Sequence, residues 1–139
     1  MSGNQIDQPQ EASVVGWAGR FVGTGTRRWV FFGAVALVIF TAPDLPARPS
    51  LALSALATLA AAAWCLTNFW HCQEAHCVVT GPGWTLLGIF EVVEVGLGHS
   101  LIGGAEQLPF LAILCVAVLF EVCWRARFGT KAVGTKAAM

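Results

Sequence analysis

Four apolar runs, at residues 29–42, 51–70, 84–102 and 108–124, narrow what this chain can fold into. Crossing a hydrocarbon core about 30 Å thick takes about 20 helical residues, and the last three runs reach or approach that length. An open sheet cannot satisfy its backbone in lipid, so each run is expected to be a helix. The expected fold class is all-α, an integral membrane four-helix bundle. A chain that is 56% hydrophobic and 12% charged, with mean hydropathy +0.67, fits the bilayer as its solvent. The first run is short and is expected to span by snorkelling of Arg27 and Arg28 or by stretching toward Leu45. Trp29, Trp70, Trp84 and Trp124 fall at run ends and read as an interfacial belt. On the second run Ser50, Ser54, Thr58 and Ala62 share one face, which reads as small-residue packing architecture.

Charge sets the expected orientation. Seven of the eight Lys/Arg residues flank the first and last runs, before them at Arg20, Arg27 and Arg28 and after them at Arg125, Arg127, Lys131 and Lys136. By the positive-inside rule both termini face the cytoplasm of a prokaryotic inner membrane, which suits an even number of spans. The polar segment 71–83 then faces the cytoplasm, and 43–49 and 104–107 face outward. No cleavable signal is expected, because the first apolar run begins only near residue 29. Residues 1–12 and 129–139 read as disordered tails around a membrane domain at 13–128, and 14–22 as a short interfacial turn of helix. Net charge is zero and there is no basic helix or aromatic platform, so nucleic acid is not an expected partner.

The segment from His71 to Cys77 concentrates the chemistry. His71, Cys72, Glu74, His76 and Cys77 offer thiol, imidazole and carboxylate, the ligand types that soft and borderline metals take. On a continuous helix Cys72 and Cys77 would point about 140° apart. A loop turning at Thr80-Gly81-Pro82-Gly83 would let them converge on Cu(I), Hg(II) or Zn(II). The bland reading is that these residues merely populate a membrane-surface loop. Five cysteines, an odd number with the closest two on the reducing side, argue for free thiols over a disulfide framework. Cys65 and Cys115 lie within runs and read as small buried hydrophobes.

Glu91 and Glu94 fall inside the third run, three apart and so on one helix face, with His99 on the same broad side. Intramembrane carboxylates are costly and usually functional, so Glu91, Glu94 and His99 read as a polar pathway that Glu121 of the fourth run would join. Two such carboxyls one turn apart are expected to share a proton. The bland alternative is interhelical hydrogen bonding that only fixes the bundle. A di-metal oxygenase is disfavoured because no Glu-x-x-His pair occurs.

The stretch from Asn68 to Trp84, with Cys72, then His76-Cys77, then Thr80-Gly81-Pro82, resembles a motif of small integral membrane proteins of bacteria and archaea. More loosely, four spans with cytoplasm-facing cysteines look like the mercuric-ion uptake proteins of the inner membrane. Those proteins usually also carry a cysteine pair within a span, whereas Cys65 and Cys115 stand singly in theirs. The resemblance implies handling of a soft metal ion; the residues themselves suggest binding at the Cys/His segment and passage along the Glu/His stripe. Two other readings stay open: a thiol-redox or quinone-linked membrane oxidoreductase, and an accessory subunit of a larger membrane complex or homo-oligomer. The redox reading is weakened by a Cys72–Cys77 spacing longer than Cys-x-x-Cys.

Overall fold

Helix ends in this chain are set by proline and by left-handed turns. The computed structural model describes residues 25–130 and 132–133, with Cys72 as backbone only, and all its regular elements are helical. Helix α1 runs Gly25–Thr41 and gives way to a 3-10 turn at Ala42–Asp44, where Pro43 cannot continue the hydrogen-bond ladder. The Thr41 hydroxyl donates to the Leu37 carbonyl at 2.8 Å, satisfying one of the last acceptors of α1. Pro46 precedes α2, Ala47–Cys72. Helix α3 spans Ala75–Leu97 and stops at Gly98, whose φ of 77° suits a residue without a Cβ. Helix α4 spans Gln107–Phe128 and stops at Gly129, again left-handed.

Four helical segments among the described residues are long and apolar enough to cross a membrane: Gly25–Asp44, Ala47–His71, Ala75–Leu97 and Gln107–Phe128. The first reaches span length by taking in Arg27 and Arg28 at one end and the 3-10 turn at the other. Large apolar side chains such as Leu37, Leu56, Leu86 and Leu119 point outward, each more than half exposed. Such a surface suits lipid rather than water.

The expected 71–83 loop is corrected to a two-residue turn, Gln73-Glu74, and α3 begins nine residues earlier than the third apolar run. Gly81-Pro82-Gly83 lies within this helix. Pro82 deprives the Val78 carbonyl of its usual donor. In the adjacent turns the Thr80 and Thr85 hydroxyls donate to the carbonyls of His76 and Gly81, at 3.0 and 2.7 Å. The glycines serve helix packing. A Cβ on Gly81 would stand 2.9 Å from Leu66 Cδ2 on α2, one on Gly83 2.8 Å from Ile113 Cγ2 on α4, and one on Gly88 2.6 Å from Leu59 Cδ2. Close approach of α3 to both neighbours outweighs the turn-forming tendency of the same residues.

Trp84 is correspondingly no interfacial anchor. It is buried, stacks on Phe110 with ring centroids 4.6 Å apart, and donates from Nε1 to the Phe110 carbonyl. Trp29 and Trp70 are exposed near helix ends, as the belt reading expects. Residues 1–12, the 14–22 turn and Arg20 lie outside the described residues. The start of the expected C-terminal tail is docked: Ala132 bridges to Glu74, and the Val133 amide donates to the Gln73 carbonyl at 2.9 Å.

Candidate metal centre at the α2–α3 turn

The turn gathers its polar groups because the chain reverses within two residues. Gln73 takes a left-handed conformation, φ 50°, and its amide caps α2 by donating to the Phe69 carbonyl at 2.9 Å. Glu74 is extended and starts α3, with the Cys77 amide donating back to its carbonyl at 3.1 Å. One turn of α3 then presents Glu74, His76 and Cys77 toward the interior.

Each of these three residues offers a ligand atom, and the three atoms lie within 4.8 Å of one another. A metal held at 2.0–2.3 Å from such atoms needs them roughly 3.5 Å apart, so a small inward movement closes the set. The Asn68 amide from α2 bridges them, donating to Glu74 Oε2 at 3.2 Å and to the Cys77 sulfur at 3.5 Å. His76 Nε2 stands 3.5 Å from Glu74 Oε2, while its Nδ1 meets Glu121 Oε2 of α4 at 2.6 Å. Arg125, one turn beyond, contacts the other oxygen of Glu121, and Arg28 of α1 approaches Glu74 Oε2 at 3.8 Å.

Cys65 enters the site from α2. Cys65 and Cys77 line the same cavity and belong to the same buried core, and both are free cysteines. The two thiols sit on the wall of a cavity of about 380 Å³. Its polar end carries Asn68, His76 and Glu121, and its apolar end is walled by Phe32, Trp64, Trp84 and Phe110. The volume falls within the range of small-molecule sites. Chemically the arrangement offers two sulfurs, one imidazole and one carboxylate at the inner edge of an apolar chamber.

Several expected site residues fall elsewhere. His71 is exposed on the last turn of α2 and outside the cluster, since the helix continues through it. The Cys72 side chain lies outside the described residues. Glu121 joins His76 rather than Glu91 and Glu94, because α4 runs antiparallel to α3 and brings its C-terminal half to the start of α3. His99 leaves the stripe: α3 ends at Leu97, and the exposed imidazole lies 3.3 Å from the Leu97 carbonyl.

Glu91 and Glu94 share a buried face, both with no exposed surface, but near the far end of α3. Glu91 lies ~22 Å along the helix from His76 by helical rise. Each carboxyl has its own hydrogen-bond donor. Ser54 Oγ donates to Glu91 Oε1 at 3.0 Å, and the Leu101 amide donates to Glu94 Oε1. The small-residue face of α2 therefore does more than pack.

Cys65, Asn68 and Ser54 are the functional residues that sequence reasoning missed or took for packing. A periodicity signal did exist, because Ser54, Thr58, Cys65 and Asn68 recur three, four or seven apart on the α2 face turned to α3. Set against protein-family models, curated proteins and solved structures, the chain matches none.

Proposed function

We propose that this chain is a multi-pass protein of a prokaryotic inner membrane that binds a thiophilic metal ion, Hg(II), Cu(I) or Zn(II), and moves it across the bilayer. The ligands are Cys77, His76 and Glu74, with Cys65 as a second thiolate. The observation that carries this reading is the convergence of three ligand atoms within 4.8 Å at one half-buried turn. A second sulfur beside Cys77 favours a thiophilic d10 ion over an oxygen-loving one. Binding would release the thiol protons, and the paired imidazole–carboxylate would hold the ring nitrogen in ligating form.

Arg28, Arg125 and Arg127 lie at the same end of the bundle as the site. By the positive-inside rule that end is cytoplasmic. The loose resemblance to mercuric-ion uptake proteins points the same way. The apolar cavity beyond the thiols offers room for a partly dehydrated ion or its small complex.

Purified protein stripped with a chelator and titrated with each ion against a colorimetric competitor tests the proposal. Cys77→Ser and His76→Ala should weaken binding at least tenfold, and His71→Ala should leave it unchanged. Wild-type affinity in Cys77→Ser protein would sink the reading.

The adjacency of Cys65 and Cys77 favours a second reading, dithiol redox chemistry. There the two thiols would lose two electrons and two protons to a membrane quinone as an S–S bond forms. A mass decrease of two hydrogens on quinone addition, absent from Cys65→Ala protein, would favour it over metal binding.

A further inference from the structure

At the end of the bundle away from the thiols, α2 and α3 enclose a second polar centre made only of oxygen donors. Glu91 has no exposed surface, and its Oε1 accepts from Ser54 Oγ at 3.0 Å while Oε2 has no partner. Thr58, also without exposed surface, turns its hydroxyl to the same carboxyl, within a small movement of donating to it. The Glu91 carboxyl also stands beside two further buried carboxyls, Glu94 and Glu106.

Buried polar atoms are nearly always satisfied and neighbouring carboxylates repel, so such a cluster of carboxyls calls for an occupant. The surrounding groups supply no counterion. Glu94 on α3 and Glu106 in the loop before α4, its ionisable neighbours, each have one unpartnered oxygen of their own. Arg48 of α2 packs its guanidinium against Gly98, and its side chain is exposed. His99 is exposed and turned to the Leu97 carbonyl.

We infer that Glu91, Ser54 and Thr58 form a binding site for a small hard cation, a proton or a sodium ion, distinct from the thiol centre. Sulfur and imidazole are absent from its donor set, so it selects against the ions that the other end would take. Carboxylate and hydroxyl oxygens from two facing helices can wrap a dehydrated sodium ion, and the same carboxyl can hold a proton in its place. Occupancy joins α2 to α3, so the cation stabilises the packed bundle. The site stands independently of the soft-metal reading.

Thermal unfolding of the full chain in nanodiscs, with a chelator present to silence the thiol centre, tests the proposal. Sodium chloride is titrated against choline chloride at constant ionic strength and at several pH values. If sodium is the occupant, it raises Tm with its concentration by mass action, and Glu91→Gln removes the rise. If the proton is the occupant, sodium is without effect. Tm then falls as pH rises, because the bound proton is lost from the folded state, and Glu91→Gln flattens that dependence. Should Glu91→Gln fail to fold, Ser54→Ala and Thr58→Val read the same responses with the carboxyl in place, and each should shift the sodium or proton midpoint. Responses identical to wild type in all these variants would overturn the inference.

Discussion

His76 and Glu121, 45 positions apart in sequence, meet at 2.6 Å between Nδ1 and Oε2 and tie the first turn of α3 to the last half of α4. Arg125 holds the other oxygen of the same carboxylate, so Glu121 is fixed from both sides. The imidazole is thereby oriented with Nε2 toward Glu74 and Cys77. A carboxylate behind a ligating histidine sets its tautomer and raises its donor strength.

Glu121→Gln should therefore weaken metal binding by about 10–100-fold without touching any ligand atom. Competition titration on purified protein reads the affinity, and a melting curve checks that the fold persists. Arg125→Gln, which leaves the His76 contact in place, should cost less than Glu121→Gln. An unchanged affinity in Glu121→Gln would show that His76 is not held for ligation by this carboxylate.

The glycines of α3 give a test of packing with opposite signs at two positions. At Gly88 an added methyl would sit 2.6 Å from Leu59 Cδ2 and 3.4 Å from the Leu59 backbone nitrogen, whereas at Gly96 nothing lies within 4 Å. Gly88→Ala should destabilise by about 1–3 kcal/mol through overpacking. Gly96→Ala should stabilise by roughly 0.5–1 kcal/mol, because alanine loses less backbone freedom in a helix. Unfolding of the two variants in mixed detergent micelles compares them directly.

The helical architecture was legible because apolar run length is a property of the segment alone, and the number of helices long and apolar enough to span followed from it. Helix boundaries were less so. Gly81-Pro82-Gly83 has the composition of a turn, and only the close approach of Leu66 and Ile113 makes it a helix interior. The site was half legible: Glu74, His76 and Cys77 are local in sequence and their proximity survives in the fold. Cys65 and Glu121 come from other helices, so their arrival depends on register between helices, which no local pattern encodes. Glu91 and Glu94 share the face that their spacing predicts but lie near the far end of α3 rather than near its start, because the helix begins at Ala75 and not at Trp84.

Orientation has its own test. His71 and Ala47 are exposed at opposite ends of α2, whereas Cys77 is only 1% exposed and makes a poor reporter. In a cysteine-free background, Ala47→Cys should react with a membrane-impermeant maleimide in intact cells. His71→Cys should react only after permeabilisation, as the clustering of arginines at its end predicts. The reverse pattern would invert the assignment and put the metal centre outside.

Gln73 closes α2 in a left-handed conformation that side-chain-bearing residues adopt at a cost of about 1–2 kcal/mol. What the turn needs from this residue is backbone: its amide caps the Phe69 carbonyl, and its own carbonyl accepts from the Val133 amide. Among the described residues the buried side-chain Oε1 has no partner. Gln73→Gly should therefore keep both backbone bonds, remove the Cβ clash and the orphaned amide oxygen, and raise stability by about 1 kcal/mol net of glycine's greater freedom when unfolded. Gln73→Val, which brings a branched side chain into the same conformation, should lower it. Because Glu74, His76 and Cys77 keep their positions on the first turn of α3, metal affinity should stay constant while melting temperature rises. A fall in melting temperature for Gln73→Gly would mean that the amide side chain holds the turn after all.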